Sequence, residues 1–393
     1  MIETDIAIIG GGLAGSTAAA MLGRAGIKTA MVDPHEIYPP DFRCEKIAGA
    51  HVDALRRTGL ADDVLPATTF DRTVSDGTTW IARFGRLVDR RPGDQYGVMY
   101  DDLVNNMRRT IPAQVSVFWS KAVGISTSND RQHITLANGE IISARLIVLA
   151  NGLNIGLRHS LGIARKVIAP CHSITIGFNI KPVQGHSFAF GSLTHYTEKL
   201  SSRMAYLTLF PIGDGMRANL FMYRDMDDPW LRDIRQKPIE CLHALMPNLR
   251  RLTGDFEIEG PMRIRPADLY VTEGHLQPGI VLVGDAFATS CPAAGNGTYK
   301  VFTDVERLCN VHIPQWLATP GMEAGKVAAF YADPVKKACD AFAIAEATKL
   351  RRMSTDSGLV WAFHRWSRFV ARSAAGLMRR LRETPRVTQR TAS

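Results

Sequence analysis

The chain has 393 residues, 46% of them hydrophobic, with 33 Gly and 20 Pro. This composition excludes a disordered, collagenous or coiled-coil protein and leaves room for two domains. The formal charge is +9 and the pI near 9.3. Nucleic-acid binding is the first reading of such a charge, but ten Arg and only two acids, Asp356 and Glu383, fall in residues 351–393. That segment carries +8 and the preceding 350 residues +1, which makes nucleic acid a minor option.

Glu3 and Asp5 precede a short apolar run ending at Gly10, unlike a secretory signal. No stretch of about 18 uncharged apolar residues occurs, so no membrane-spanning helix is expected. Cys44, Cys171, Cys241, Cys291, Cys309 and Cys339 are scattered without a CxxC, which fits a reducing cytoplasm and neither a disulfide framework nor a metal site.

Asp5 to Ile9 reads as a central parallel strand, buried on both faces. Gly10-Gly11-Gly12-Leu13-Ala14-Gly15 follows, then a small-residue helical stretch from Ser16 to Arg24, and a strand from Lys28 to Val32 that ends in Asp33. Each glycine has a separate task. Gly10 permits a tight turn, Gly12 lets a pyrophosphate approach the backbone, and Gly15 lets the helix pack closely on the sheet. The helix N-terminus then offers unpaired N–H groups to phosphate. Asp33 is placed to bind ribose hydroxyls, and its charge disfavours a 2′-phosphate, so FAD or NAD fits better than NADP. Arg43 and, behind it, Lys46 are candidate cations for the pyrophosphate; a solvated basic loop explains them equally well.

Tyr100 to Arg109 reads as a helix, and Val115 to Gly139 as a meander with an Asn138-Gly139 hairpin turn. Leu146 to Ala150 is a strand running into Asn151-Gly152. Residues 71–96 and 171–269 are strand-rich, with alternation over His172–Ile180, Met204–Pro211 and Met216–Tyr223. Polar residues on these strands, His172, Thr175, Tyr206, Arg217 and Tyr223, are candidate substrate contacts, each of which could instead be a satisfied core or outward-facing position. Gly279 to Val283 is a further strand ending in Gly284-Asp285, followed by a loop with Pro292 and Gly295-Asn296-Gly297 and a helix from Thr298 to Cys309 that contains Asp304. Residues 326–393 read as helical, broken near Gly358, Gly376 and Pro385. Leu359, Phe363, Trp366, Val370, Leu377 and Leu381 recur at helical spacing, with Arg365, Arg368, Arg372 and Arg379 on another face. Three readings of this basic amphipathic helix stand: its apolar stripe docks on the body and its Arg face is solvated; it binds the anionic inner face of a membrane; or it contacts a protein or nucleic acid.

Residues 284–304 resemble the GDAxxxxxPxxGxGxxxxxxD signature of FAD-dependent monooxygenases of the para-hydroxybenzoate hydroxylase-like, class A family. Residues 150–163 are similar to that family's ADGxxSxVRxxLGI motif, with Asn151 in place of Asp and Ile155 in place of Ser. With the first glycine motif, the resemblance covers residues 1 to about 340. It implies an α/β fold: a glutathione reductase-type FAD domain from residues 1–70, 97–170 and 270–325, an inserted β-sheet substrate domain from 71–96 and 171–269, and C-terminal helices over 326–393. It also implies FAD contacts at Gly10, Gly12, Leu13, Ala14, Gly15, Asn151 and Gly152, the ribityl chain on Asp285, and the flavin ring along Pro292, Gly295, Asn296, Gly297 and Thr298. Tyr100 stands where relatives often carry an Arg against the flavin.

The activity implied is hydroxylation or epoxidation of a hydrophobic, aromatic or polyketide-like molecule through a C4a-hydroperoxide, with O₂ and a transiently bound NAD(P)H. No catalytic side chain is required. Asn151 leaves open a separate reductase that delivers reduced flavin. Alternatives are a reductase of the geranylgeranyl reductase type, whose hairpin resembles Phe210-Pro211-Ile212-Gly213-Asp214-Gly215, and a non-catalytic flavin protein; Asp304 favours the monooxygenase.

Overall fold

The computed structural model describes residues 1–70, 78–92 and 95–383. The expected break at Pro385 and part of the strand-rich segment 71–96 lie outside these residues. The fold is mixed α/β, built on two large sheets and one small one.

At the centre of the first sheet, Ile2–Ile9 pairs in parallel with Thr29–Asp33 on one side and Ile141–Leu149 on the other. Ser116–Trp119 and Ile280–Leu282 extend it in parallel, and Gln132–Leu136 and Ala122–Ser126 close one edge antiparallel. Ile6, Ala7 and Ile8 are fully buried, as a strand covered on both faces requires. The helix Leu13–Arg24 lies close on the sheet because its contact residues Ala18, Ala19 and Ala20 are small and completely buried. It begins three residues earlier than the composition suggests.

The second sheet runs in the order Phe256–Glu273, Ala164–Pro182, Gly215–Met222, Met204–Ile212, Ser192–Tyr196, Thr78–Arg83, Arg86–Pro92. Ile174, Ile176, Phe178 and Ile180 face a core completed by the helices Trp230–Gln236 and Pro238–Leu245, while Thr175 alternates to the other face. Ala164–Pro182 is far longer than the expected His172–Ile180. It bends at register shifts near Ala169, where Cys171 takes φ +41°. Expected boundaries at 170 and 269 therefore fall inside single strands. Cys44–Ala48, Gln95–Met99 and Thr69–Phe70 form a third sheet in that order.

Gly376 does not break the C-terminal helix, which runs unbroken from Leu359 to Glu383. The glycine marks a close approach instead: a Cβ there would sit 2.2 Å from the Val88 carbonyl oxygen. The expected break near Gly358 does separate this helix from Pro334–Thr355.

Asp333 caps Pro334–Thr355, accepting the N–H groups of Val335 and Lys336, and its other oxygen meets Arg307 at 2.9 Å and His312 at 3.1 Å. Burial alone would raise its carboxyl, but these donors outweigh burial and hold it at about 2. A lowered carboxyl contributes stability above the ordinary carboxylate range and loses it as pH falls through about 2, a contribution of about 2 kcal/mol at neutral pH. Asp333→Ala is expected to lose that amount in urea unfolding at pH 7, with the difference from wild type shrinking toward pH 2.

Candidate cofactor and substrate site

A cavity of about 980 Å³ is lined from both large sheets. It stands at the upper end of the ~300–1,000 Å³ usual for cofactor and ligand sites. At one end lies the first glycine turn. Gly10 takes φ +103°, and a Cβ on it would come within 2.6 Å of the Ala150 oxygen; a Cβ on Gly15 would sit 1.8 Å from the oxygen of Gly10. Gly12 differs, because nothing lies within 4 Å of where its Cβ would be and it lines the cavity. It is the N-cap of its helix and supplies no side-chain cap, so the first N–H groups are left for a ligand.

Asp33 lines the cavity beside this turn, its Oδ2 accepting the Gly11 N–H at 2.7 Å. Arg108, on the helix Tyr100–Arg109, donates from Nε to the Gly11 oxygen at 2.8 Å. Its Nη2 lies 3.1 Å from Asp33 Oδ1 without hydrogen-bond alignment, so that contact is ionic. Arg108 belongs to no motif, and the sequence reading missed it. Arg43 also lines the cavity, held to Asp41 at 2.8 and 3.1 Å with its guanidinium 3.6 Å above the Tyr100 ring. Tyr100 thus carries an arginine on its ring face. Lys46 and Glu45 line the same wall.

Asn151, Gly152 and Asp285 also line the cavity. Fully buried Arg158 ties their loops together, donating to the carbonyls of Ala286 at 2.6 Å, Asn154 at 2.9 Å and Gly152 at 3.2 Å. Burial raises the Asp285 carboxyl above its ordinary range, against the pull of Arg43, Lys300 and Arg158, and burial raises Glu45 likewise. Beyond Asp285, Pro292 opens a single 3-10 turn that ends on Gly295 at φ +66°, and the His51 ring nitrogen Nε2 lies 2.7 Å from the Gly295 oxygen. Burial also raises the Cys291 thiol, the direction of an unreactive group.

Gly10, Gly12, Leu13, Ala14, Asp33, Arg43, Lys46, Asn151, Gly152, Asp285, Pro292, Gly295 and Gly297 share this one cavity. Gly15, Gly284, Asn296 and Thr298 are not among its lining residues. These residues fit FAD on the structure's own terms. An open helix N-terminus meets room at Gly12, and the buried Oδ1 of Asn151 and Oγ of Ser290 lack hydrogen-bond partners.

The substrate candidates divide. Thr175 and Tyr206 line the cavity. The Thr175 hydroxyl is buried without a partner, whereas Tyr206 donates its hydroxyl to the Ala293 oxygen at 2.6 Å and offers only its ring. His172, Arg217 and Tyr223 do not line the cavity. His172 shares strand parity with Ile174 and meets the Ala347 oxygen, Arg217 is spent on Phe42 O and on the side chains of Asn179 and Asn219, and Tyr223 is buried beside His172. Sequence pattern did not single out Tyr196, Thr208 or Phe221, which complete an aromatic trough with ring centroids 5.5 Å apart for Tyr196–Tyr206 and 4.9 Å for Tyr206–Phe221.

Residues 3–311 match the family model described as FAD binding domain. The chain belongs to this family. It is an FAD-dependent oxidoreductase of the class A flavin monooxygenase type. It is similar to 3-demethoxyubiquinol 3-hydroxylase of Escherichia coli strain K12, 27% identical over 329 residues that span 78% of this chain and 79% of the relative. The ubiquinone hydroxylase UbiM of Neisseria meningitidis serogroup C is 25% identical over 75% of this chain and 66% of its own length. Among solved structures, p-nitrophenol 4-monooxygenase PnpA from Pseudomonas putida DLL-E4 shares the fold with a TM-score of 0.73 over 97% of both chains, at 16% identity.

Proposed function

We propose that this flavin monooxygenase hydroxylates or epoxidises a hydrophobic aromatic molecule, with a phenol- or quinol-like ring as the class that suits it best. The observation that carries the reading is the single cavity joining the open helix end at Gly12 and Asp285 to the trough of Tyr196, Tyr206 and Phe221. An aromatic wall of Tyr196, Tyr206 and Phe221, whose rings are tilted against one another, favours a flat ring, and the unpartnered hydroxyls of Thr175 and Thr208 are available to its oxygen substituents. The names of the two ubiquinol and ubiquinone hydroxylases support the same class.

FAD supplies the oxygen-activating redox chemistry when bound. The chain binds and orients: Gly12 and the helix N-terminus take the pyrophosphate, Asp33 the ribose, Asp285 the ribityl chain, and the loop from Pro292 to Gly297 the ring edge. Arg43 adds positive charge beside the phosphates. The balance is one O₂, one NAD(P)H and one proton consumed, with one oxygen atom entering the substrate and the other leaving as water. NAD(P)H visits from solvent or acts through a partner reductase.

Purified protein is expected to be yellow, and a suitable quinol is expected to stimulate NAD(P)H oxidation with matching oxygen uptake and a hydroxylated product. Equal rates without oxygen, with a reduced product, would move the protein to the reductases.

A further inference from the structure

The C-terminal helix docks in the opposite sense to the simplest expectation for an amphipathic segment. Arg365, Arg368, Arg372 and Arg379 face the body. Arg379 donates to the Arg90 oxygen at 2.8 Å and, with Arg372, approaches the fully buried carboxylate of Asp89 at 3.9–4.0 Å. Arg365 donates to the Asp356 oxygen at 2.7 Å, and both Arg365 and Arg368 line the cavity. The apolar stripe is left facing outward, with Leu359 89%, Phe363 71%, Val370 60% and Leu377 59% exposed. Solvent is a poor neighbour for such a ridge, which follows a helix of 25 residues, roughly 37 Å long.

Charge indicates what covers it. Asp89 faces three cations, Arg91, Arg372 and Arg379, so the ground under the helix stays positive after pairing. Arg83 and Arg368 add two further cations at the cavity wall, and burial together with repulsion from Arg368 and Arg91 holds the Arg83 guanidinium below its ordinary value. No acid interrupts the sequence between Asp356 and Glu383. An apolar ridge set in positive ground matches the boundary between headgroups and acyl chains of an anionic bilayer. Among the described residues no helix is long and apolar enough to cross a membrane, so the match is to a helix lying in the surface.

We propose that the C-terminal helix seats its outer face in an anionic phospholipid surface and so holds the cavity wall formed by Arg365 and Arg368 against the lipid. A helix is only about 10–12 Å across, so a substrate dissolved in the bilayer would lie one helix diameter from the cavity. That consequence rests on the proposed function; the docking itself does not.

The test is co-sedimentation of the full flavin-loaded protein with vesicles of phosphatidylcholine alone or mixed with phosphatidylglycerol. Binding is expected to the mixed vesicles, weakened by 0.5 M salt (a shorter screening length) and reduced about tenfold or more in Phe363→Ser/Val370→Ser/Leu377→Ser, whose flavin content stays that of wild type. Brominated phosphatidylglycerol is expected to quench tryptophan emission of the unaltered protein through Trp366. No binding, or binding that the triple variant keeps, would overturn the proposal. So would a wild-type dimer in light scattering that ignores vesicles and that the same variant converts to monomer, since a second copy would then cover the ridge. Absence of quinol turnover with vesicle binding intact would remove the proposed function and leave this inference standing.

Discussion

Asp304→Ala is expected to cost about 3–5 kcal/mol, the usual consequence of removing one partner from a buried ion cluster. Asp304 is fully buried, with Lys300 Nζ at 2.8 Å from one oxygen and Lys336 Nζ at 3.0 Å from the other. Both lysines also reach Asp340, at 2.8 and 3.1 Å, which closes a ring of two cations and two anions beneath Gly284-Asp285. The alanine variant leaves two buried ammonium groups sharing one carboxylate and takes an acceptor from the Gly284 N–H, now 3.2 Å from Asp304. Asp304→Asn separates these effects, because an amide oxygen can still serve Gly284 while the charge is gone. It is expected to recover flavin retention better than stability. Burial raises the Asp304 carboxyl, but Lys300 and Lys336 outweigh it and hold the group below its ordinary value. The contribution is therefore present above the ordinary carboxylate range and lost as pH falls through the lowered value, so the penalty should be full at pH 7 and fade in acid. Urea unfolding at both pH values measures it; a loss below about 1 kcal/mol at pH 7, the worth of an exposed pair, would show that the ring contributes little.

Legibility in the sequence followed the range of the physics. Gly10, Gly15 and Gly284 answer local demands, a positive φ or a close backbone approach, and these write themselves into residue identity within one turn. Asp33 and Asp285 follow from strand ends, so their positions were readable too. The substrate wall was not, because it depends on register. His172 and Thr175 both sit on one strand at opposite parity, and a bulge between Met204 and Tyr206 lets Ala205 and Tyr206 both reach the cavity. Arg108 reaches Gly11 across 97 positions of sequence, and no local pattern announces such a pairing.

The C-terminal helix shows the same limit from another side. Periodicity revealed two faces, apolar and basic, and the ordinary expectation turns the apolar one inward. What reversed it was a remote demand: the Asp89 carboxylate, buried in a strand of the second sheet, draws Arg372 and Arg379, and Gly376 removes the side chain that would hold the helix off Val88. A buried charge requires partners more strongly than an exposed leucine requires cover.

Gly12→Ala is expected to leave the cofactor-free protein as stable as wild type and to weaken FAD binding at least about tenfold, or ~1.4 kcal/mol. The backbone at Gly12 has φ −72° and ψ −170°, extended geometry open to any residue, and no protein atom lies within 4 Å of the new methyl group. Only a ligand lying against that turn would meet it. Gly15→Ala is the control with opposite logic: its methyl would sit 1.8 Å from the Gly10 oxygen, so it is expected to destabilise the fold by about 1–3 kcal/mol whether or not FAD is present. Thermal unfolding of both variants without cofactor, followed by titration with FAD, distinguishes a glycine kept for the ligand from one kept for the chain. If Gly12→Ala bound FAD as wild type does, the pyrophosphate would lie elsewhere and the assignment of the first turn would fail, while Asp285 and the Pro292 loop could still hold the ring.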